Sequence, residues 1–313
     1  MAEPDFSSRS VLVTGGAGFI GSHLVDALLE RGAGVRVLDN FATGKRENLA
    51  HVADRVEVFE GDIRDLATCA KACAGVGFVF HQAALGSVPR SMEEPAPSIA
   101  VNVAGTANVF AAARDAGVTR VVYASSSAVY GDSEALPKRE GQEGSPLSPY
   151  AVSKWMDEEL AATFARCYPQ MSFAGLRYFN VYGPRQDPNG PYAAVVPRFF
   201  DACARGVAPT IYGDGEQSRD FTFVKDVVRA NLLAAGAAFT GAYAFNIGAG
   251  GTTTVTRLAE AIIEICGVDL KPSYLDPRPG DIKFSQADTS RAHAMLGFSP
   301  TTELFDGLAQ TKA

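Results

Sequence analysis

Apolar strand-like segments alternate with helix-like segments through the first 180 residues of the chain. The strand-like segments are 10–14, 35–38, 56–59, 78–81, 120–123 and 173–177, and helices are predicted near 18–31, 99–116 and 149–167. Apolar strands that are regularly followed by helices are typical of a parallel sheet covered on both faces. The sequence therefore predicts an α/β fold with a doubly wound parallel sheet.

The composition changes after residue 180, where proline, glycine and isolated arginines become more frequent. The helices predicted here are shorter, near 195–205, 224–235, 255–265 and 304–310. Such a segment predicts a smaller lobe over the carboxyl ends of the strands, where sheets of this kind bind ligands. We divide the chain into a nucleotide-binding domain, 1–180, and a substrate-binding lobe, 181–313, with some segments returning to the first domain.

The bulk composition is that of an ordinary globular protein, with 313 residues, 47% hydrophobic and 20% charged. A net charge of −7 argues against nucleic-acid binding. The N-terminus shows no basic-then-apolar signal segment, and no uninterrupted apolar stretch approaches the ~18 residues of a membrane span, so a cytoplasmic location is expected. Five cysteines without Cys-x-x-Cys spacing indicate neither a disulfide framework nor a metal site.

Three glycines, Gly15, Gly18 and Gly21, follow the first predicted strand and open the first predicted helix. Glycine at these places lets the backbone turn tightly, approach a pyrophosphate and present helix N-terminal amides to it. Close packing of helix on strand is the alternative reason for these glycines. The strand, loop and helix context favours a dinucleotide site.

The end of the second predicted strand carries Asp39, whose carboxylate can accept the adenosine ribose hydroxyls and repel a 2′-phosphate. This favours NAD over NADP, although Lys45 and Arg46 weaken the preference unless they face solvent. Asp62 and Ile63 follow the third strand and are placed to meet adenine, with a turn as the alternative role of Asp62.

Tyr150 and Lys154 lie one turn apart on a predicted helix, downstream of the serine run 125–127. Residues i and i+4 share a helix face, so the ammonium can lie beside the phenol and favour its ionised form. Lowering an ordinary tyrosine pKa of ~10 by about 3 units takes roughly 4 kcal/mol, which lysine and a nicotinamide cation together can supply. The pair also occurs on amphipathic helices without a catalytic role. The order of glycine loop, serine run and pair favours redox chemistry on a nicotinamide.

These residues stand in longer motifs at 14–24, 39–40, 81–84, 125–131, 150–154 and 177–185. With them the chain resembles, over nearly its whole length, the extended short-chain dehydrogenase/reductases that act on nucleotide sugars. Among these it is most similar to the NAD-dependent UDP-N-acetylglucosamine 4-epimerases, notably over 86–91 and 186–197. The resemblance implies a Rossmann-type fold with a smaller C-terminal substrate-binding lobe, and NAD as cofactor.

In such enzymes a phenolate removes the O4 proton of the sugar while C4 gives hydride to NAD. The resulting 4-keto sugar rotates and takes the hydride back on its other face. The resemblance implies that Tyr150 is the base, that Lys154 holds the nicotinamide ribose and tunes Tyr150, and that Ser126, five positions before Gly131, bonds O4. The cofactor-binding residues are predicted to be Gly15, Gly18, Phe19, Ile20, Gly21, Asp39, Asn40, Asp62, Ile63, Gln82, Ala83, Ala84, Tyr150 and Lys154.

Two sister reactions are disfavoured by residues that the chain lacks. Related 4,6-dehydratases carry an Asp-Glu pair just after the catalytic hydroxyl, because elimination of water needs a further acid and base. Here those positions are Ser127 and Ala128, and related decarboxylases need a glutamate at the position of Ala128. Oxidation followed by return of the hydride, which is epimerisation, remains.

The substrate side is predicted from matches to the same family. Arg219 and Arg278 match diphosphate-binding positions, for which a guanidinium is suited, and Asp281 matches a uridine-ribose position. Either arginine is alternatively a solvated surface charge, and Ser125 and Ser127 are alternatively polar caps of a strand end. The predicted substrate-binding residues are Gly86, Ser87, Ser125, Ser126, Ser127, Asn180, Gln186, Ala194, Val195, Arg219, Arg278, Asp281 and Ser285.

Ser285 occupies a position where epimerases of non-acetylated sugars carry a large aromatic, so the serine leaves room for an N-acetyl group. UDP-GlcNAc/UDP-GalNAc is therefore the predicted substrate, with UDP-glucose and UDP-glucuronate as alternatives; Arg185 or Ser87 can meet the carboxylate of the latter. A non-catalytic nucleotide-sugar or NAD sensor is the alternative of another class, because fold alone does not establish activity. No nucleic-acid or membrane partner is expected. The resemblance implies a homodimer that forms through helices 99–116 and 149–167.

Overall fold

The structure, a computed structural model, describes residues 5–7, 9–189, 193–277 and 283–312. The strands are β1 (Ser10–Thr14), β2 (Gly34–Asp39), β3 (Val56–Glu60), β4 (Phe78–His81), β5 (Arg120–Ser126), β6 (Ser172–Tyr178), β7 (Val181–Tyr182), β8 (Thr210–Tyr212), β9 (Ser218–Arg219), β10 (Thr222–Phe223), β11 (Gly241–Ile247), β12 (Thr253–Thr254) and β13 (Ser273–Leu275). Within the described ranges, a seven-stranded sheet has the order β11-β6-β5-β4-β1-β2-β3. All its neighbouring strands run parallel.

The helices alternate with these strands along the chain. They are α1 (Phe19–Glu30), α2 (Leu66–Cys73), α3 (Val88–Glu93), α4 (Pro95–Ile99), α5 (Gly105–Asp115), α6 (Pro149–Cys167), α7 (Val195–Ala204), α8 (Val224–Gly236), α9 (Val255–Cys266), α10 (Ser290–Leu296) and α11 (Leu304–Lys312). Short 3₁₀ segments lie at Arg46–Val52 and Ser127–Tyr130, and a π-helical turn at Ala100–Ala104 joins α4 to α5.

Successive side chains along a strand point to opposite faces of the sheet, and apolar clusters cover both faces. Val11 and Val13 of β1 belong to the apolar cluster that includes residues of α1 and α8. Leu12, between them, belongs to the cluster that includes residues of α2, α5 and α6. The predicted doubly wound α/β fold is confirmed.

The seventh strand, β11, comes from the part of the chain beyond residue 180 and pairs with β6 from Gly241↔Ser172 to Ile247↔Tyr178. Another apolar cluster, which includes Tyr182, Phe199, Phe223 and Leu258, lies around α7 and α9. The division of the chain into two domains at residue 180 stays a prediction.

Among the described residues, the helical run Pro95–Asp115 is long and apolar enough to span a membrane by length and composition alone, and 44% of its apolar stretch is buried inside the protein. Its polar side chains are used inside the fold: Asn102 Nδ2 donates to Leu85 O at 3.2 Å and to Ser153 Oγ at 3.0 Å. These bonds tie the run to the loop after β4 and to α6, as expected of a helix that packs within a domain.

Candidate active site

The glycine loop between β1 and α1 has a shape that side chains would prevent. Gly15 has φ +68°, and a Cβ there would lie 2.7 Å from Ala83 N. A Cβ on Gly21 would collide with the Gly15 carbonyl oxygen. Gly18 caps α1 without any side-chain hydrogen bond to the helix N-terminus. The loop can therefore approach an anionic ligand closely and offer it backbone N–H groups.

A cavity of about 500 Å³ opens at this loop, along the carboxyl ends of the strands. Every residue predicted to bind the cofactor contributes to its wall. The wall also includes Gly86, Ser125 and Gln186, which were predicted to meet the substrate. The topology explains this convergence, because the carboxyl ends of parallel strands lie at one edge of the sheet.

At one end of the cavity, Asp39 is 7% exposed and fixes the backbone around it. Its Oδ2 accepts a hydrogen bond from Ala17 N at 2.9 Å and its Oδ1 accepts one from Phe41 N at 2.8 Å. Asp62 lies nearby and accepts from Asn40 Nδ2 at 2.8 Å. Hydrogen bonds from the Arg64 guanidinium lower the pKa of Asp62 to about 2, so this carboxylate is ionised at neutral pH.

Tyr150 and Lys154 lie in the wall of the same cavity, in the first two turns of α6. Ser148 caps this helix by accepting a hydrogen bond from Ala151 N at 3.1 Å, and proline occupies its first turn. Ser91 Oγ accepts from Tyr150 N at 3.1 Å. These contacts fix the start of α6, and with it the backbone that carries both predicted catalytic residues.

Lys154 is 2% exposed, yet it lies in the wall of the cavity. Its Nζ donates to Ala124 O at 2.9 Å and to Asp157 Oδ2 at 3.2 Å. The ammonium is therefore held against the end of β5 by two defined acceptors.

A second phenol, Tyr178, also lines the cavity but is 8% exposed. Its Oη donates to Gln82 Oε1 at 3.1 Å and accepts from Asn231 Nδ2 at 2.9 Å. Burial raises the pKa of Tyr178 well above its usual value, so this phenol is neutral at neutral pH. It supports Gln82 in the cavity wall and is unsuited to act as a base.

The serines at the end of β5 and directly after it have different surroundings. Ser125 lines the cavity and donates to Glu158 Oε1 at 2.5 Å. Ser126 Oγ accepts from Ala128 N at 3.1 Å and so caps the 3₁₀ segment that begins at Ser127. The role of Ser126 at the sugar O4 stays a prediction.

A second cavity, of about 190 Å³, lies in the lobe beyond residue 180. Three predicted substrate-binding residues, Asn180, Val195 and Arg219, line it. Asn180 has φ +29° and donates from Nδ2 to Asp220 O at 3.1 Å. Because Val181, next in the chain, lines the first cavity, the two cavities are neighbours.

The remaining predicted residues lie outside these two walls. Ser87 caps α3 by accepting from Arg90 N at 3.1 Å, and Ala194 is the N-cap of α7. Ser285 is half-buried and donates from its backbone N to Ser218 O at 3.2 Å. Arg278 and Asp281 lie outside the described residues.

Asp220, which the sequence did not single out, stabilises the loops beside the second cavity. Its carboxylate is fully buried and accepts from Ala249 N at 2.7 Å, Gly250 N at 3.0 Å and Ala287 N at 3.0 Å. Burial raises the pKa of Asp220, and these three backbone donors oppose the rise. Because Asp220 directly follows Arg219, a predicted substrate-binding residue, the sequence could have indicated it.

His81 also lies behind the first cavity, at the end of β4, and forms a chain of hydrogen bonds. Thr14 Oγ1 is 2.6 Å from His81 Nδ1, and His81 Nε2 is 2.9 Å from Thr106 Oγ1. Thr106 donates its own proton to Asn102 O. The assignment that satisfies every group has Thr14 donating to Nδ1 and Nε2–H donating to Thr106. With this assignment the His81 imidazole is neutral.

We expect His81 to make the protein acid-sensitive. Burial, with the Lys154 charge adding to it, lowers the pKa of His81 to about 3. The pKa is lower folded than unfolded, so the stabilisation is present above about pH 6.5 and is lost as pH falls toward 3. A shift of about 3.5 units corresponds to roughly 5 kcal/mol. The free energy of unfolding of His81→Gln, from urea titrations at a series of pH values, should fall less steeply than that of the wild type.

The exposed His293 provides the control for this experiment. His293→Gln removes an exposed imidazole, so its free energy of unfolding should depend on pH in the same way as that of the wild type. Parallel curves for His81→Gln and the wild type would contradict the assignment.

Comparisons with known proteins agree with this geometry. A family model described as the NAD dependent epimerase/dehydratase family matches residues 11–248. The chain is 42% identical over 304 residues to a UDP-glucose 4-epimerase of Mycolicibacterium smegmatis, covering 96% of each protein.

Two solved structures are also similar. A UDP-N-acetylglucosamine 4-epimerase from Methanobrevibacter ruminantium M1, in complex with UDP-N-acetylmuramic acid, has a TM-score of 0.93 and 41% identity, with 98% of this chain and 97% of that chain covered. A UDP-glucose 4-epimerase from Thermotoga maritima, with UDP-glucose, has a TM-score of 0.92 and 40% identity, with 97% of each chain covered.

The chain therefore belongs to the NAD-dependent epimerase/dehydratase family. The family, the NAD cofactor and the enzyme class predicted from the sequence, a UDP-sugar 4-epimerase, are confirmed. The residues present fit NAD, because the glycine loop has a shape that side chains would prevent, α1 begins without a side-chain cap, and Asp39 lies in the wall of the same cavity.

Proposed function

We propose that this enzyme interconverts UDP-GlcNAc and UDP-GalNAc by oxidation at C4 and return to the opposite face. The observation that carries the reaction is the placement of Tyr150 and Lys154 in the wall of the cavity that the glycine loop opens. NAD, when bound, supplies the acceptor for the hydrogen that leaves C4 and gives it back. The remaining steps are the work of side chains.

In this proposal Tyr150 is the base that removes and returns the proton of the sugar O4. The Lys154 ammonium stabilises the phenolate and holds the nicotinamide ribose, for which a lysine fixed by Ala124 O and Asp157 is well placed. Tyr178 is neutral and does not compete for this role. Ser126 is proposed to hydrogen-bond O4, which requires its Oγ to serve both the sugar and the Ala128 N–H.

The diphosphate and uridine are proposed to bind in the second cavity, with Arg219 at the phosphates. Arg278 and Asp281 remain proposed partners of the nucleotide from the sequence alone. Anchoring the nucleotide in one cavity while the hexose reacts in its neighbour leaves the 4-keto sugar free to rotate between its two faces.

Two small residues support an N-acetylated sugar. Gly86 lines the first cavity, and a Cβ added to it would meet no atom within 4 Å, so the wall is open there. Ser285 stands where the resemblance places a large aromatic in epimerases of non-acetylated sugars, and it lies outside the walls of both cavities. Space alone admits UDP-glucose as well, so the proposal is a preference for the acetylated sugar.

Ser285→Tyr is expected to lower kcat/KM for UDP-GlcNAc by about a hundredfold while that for UDP-glucose changes only a few-fold. The reason is that the aromatic ring would occupy the space proposed for the acetamido group. Proton NMR of the sugar C4 configuration, with each substrate in turn, measures both rates.

Ser285→Ala is the matched control, because it keeps the side chain small and should keep the wild-type preference. Equal losses with both substrates in Ser285→Tyr would contradict the pocket assignment. A wild type that epimerises UDP-glucuronate fastest would replace the proposed substrate and keep the chemistry.

The structure offers UDP-glucuronate little support. Arg185, the candidate for its carboxylate, lies outside the wall of the first cavity and pairs with Asp26 of α1 at 2.8 Å. Ser87 is occupied as a helix cap.

We also propose a homodimer and a cytoplasmic location. The dimer is supported by exposed apolar side chains on α6 and on α3 beside it: Trp155, Met156, Val88 and Met92 are between 36% and 61% exposed. Such a surface is suited to the pairing of two copies.

A further inference from the structure

Asp157 lies one turn after Lys154 on α6 and is 1% exposed. Its Oδ2 is 3.2 Å from Lys154 Nζ, and both side chains are buried together. Asp157 Oδ1 has no hydrogen-bond partner among the described residues. The reaction as proposed uses Asp157 only as an acceptor that fixes Lys154, and it assigns no role to the negative charge of this carboxylate.

Asp157 affects the cavity through the hydrogen-bond donors of the Lys154 ammonium. An ammonium has three N–H donors. One is taken by Ala124 O at 2.9 Å and one by Asp157 Oδ2 at 3.2 Å. Because Lys154 lines the cavity, the third remains for a ligand there. Asp157 thus fixes the direction in which Lys154 presents its remaining donor.

The charges around Asp157 come from several elements. Lys154 and Glu158 face it from α6, and Tyr123 from β5. His81, on β4, is neutral, and the Thr106 hydroxyl faces the carboxyl from α5.

Burial raises the pKa of Asp157 to about 6, against the opposing effect of Lys154. Glu158 is itself paired with the Arg177 guanidinium. Lys154 is therefore the cation that compensates Asp157, and above about pH 6 the carboxyl is ionised.

We propose that Asp157 is a positioning residue that holds the Lys154 ammonium and partly cancels its field at the Tyr150 phenol, thereby setting the pH range in which the phenol serves as base. This inference rests on the proposed function of the site. The negative charge disfavours a phenolate and favours a charged lysine. Both effects move the working range to higher pH.

Asp157→Asn removes the charge and keeps an amide oxygen that can accept from Lys154 Nζ. Both limbs of the pH dependence of kcat are expected to move to lower pH, by roughly half to one unit. A variant that merely loosened the fold would lower kcat without moving both limbs in one direction.

Glu159→Gln is the matched control, because it removes the same charge from an exposed position two residues further along the same helix. Both limbs of its kcat profile should lie at the same pH as those of the wild type. Asp157→Glu keeps the charge and should restore the wild-type limbs even where kcat falls. Asp157→Ser provides the same charge test with a smaller side chain if the asparagine variant does not fold.

A second readout does not depend on turnover. The absorbance of the Tyr150 phenolate in NAD-bound protein, obtained by subtracting Tyr150→Phe, should reach its midpoint at lower pH in Asp157→Asn than in the wild type. Coincidence of the Asp157→Asn and Glu159→Gln titrations would overturn the inference. A shifted titration in a protein that epimerises nothing would support the role of Asp157 and refute the proposed function instead.

Discussion

Tyr150→Phe is expected to lower the rate of epimerisation by about a thousandfold, with the fold and NAD binding retained. Phenylalanine keeps the ring but removes the oxygen that would take the O4 proton. Tyr150 lies in the first turn of α6, which is fixed by the Ser148 cap and by its own backbone bond to Ser91, and neither contact involves the phenol. Proton NMR of the sugar C4 configuration measures the rate, and fluorescence titration measures NAD binding.

Tyr178→Phe tests whether the position or merely the presence of a phenol matters. Tyr178 lines the same cavity but is bonded to Gln82 and Asn231. Its loss should cost about 1 kcal/mol of stability and leave turnover within about tenfold. If turnover fell more in Tyr178→Phe than in Tyr150→Phe, the base would be Tyr178, and the assignment to Tyr150 would be wrong.

The cofactor end of the site was predictable because its signals are local. The glycine loop, the start of α1 and Asp39 follow from strand, turn and helix patterns that each span a few residues. The parallel sheet then determines that the ends of its strands meet at one edge, so residues far apart in sequence could be assigned to one cavity.

The rest depends on contacts between elements that have no sequence signal of their own. β11 carries Tyr243, Phe245 and Ile247 in alternation, a strand pattern, but its place beside β6 depends on a long crossover. The bond between Ser125 and Glu158 joins β5 to α6, whereas sequence patterns leave Ser125 and Ser127 with the same two possible roles, substrate contact or polar cap. Of the three adjacent serines, Ser125 lines the first cavity, and this depends on how the end of β5 is placed against α6.

The largest expected loss of stability comes from Arg177, which is 4% exposed. Its Nε and Nη2 donate to the two carboxylate oxygens of Glu158 at 2.9 and 2.6 Å, and its Nη1 donates to Glu143. Burial disfavours the cation, but the bonds and charge of Glu158 outweigh it and raise the pKa of Arg177. Removal of the guanidinium would leave the Glu158 carboxylate buried without its cation.

Arg177→Met is therefore expected to lower the free energy of unfolding by about 3–5 kcal/mol, measured by urea denaturation at neutral pH. Adding Glu158→Gln should recover a large part of the loss, because the second change removes the uncompensated charge and keeps an acceptor for Ser125. Arg205→Met is the control: its pair with Asp201 at 2.7 Å is 65% and 36% exposed, so less than about 1 kcal/mol is expected. Additive losses in the double variant would mean that Arg177 stabilises the protein by packing, since an ion pair requires the two changes to be coupled.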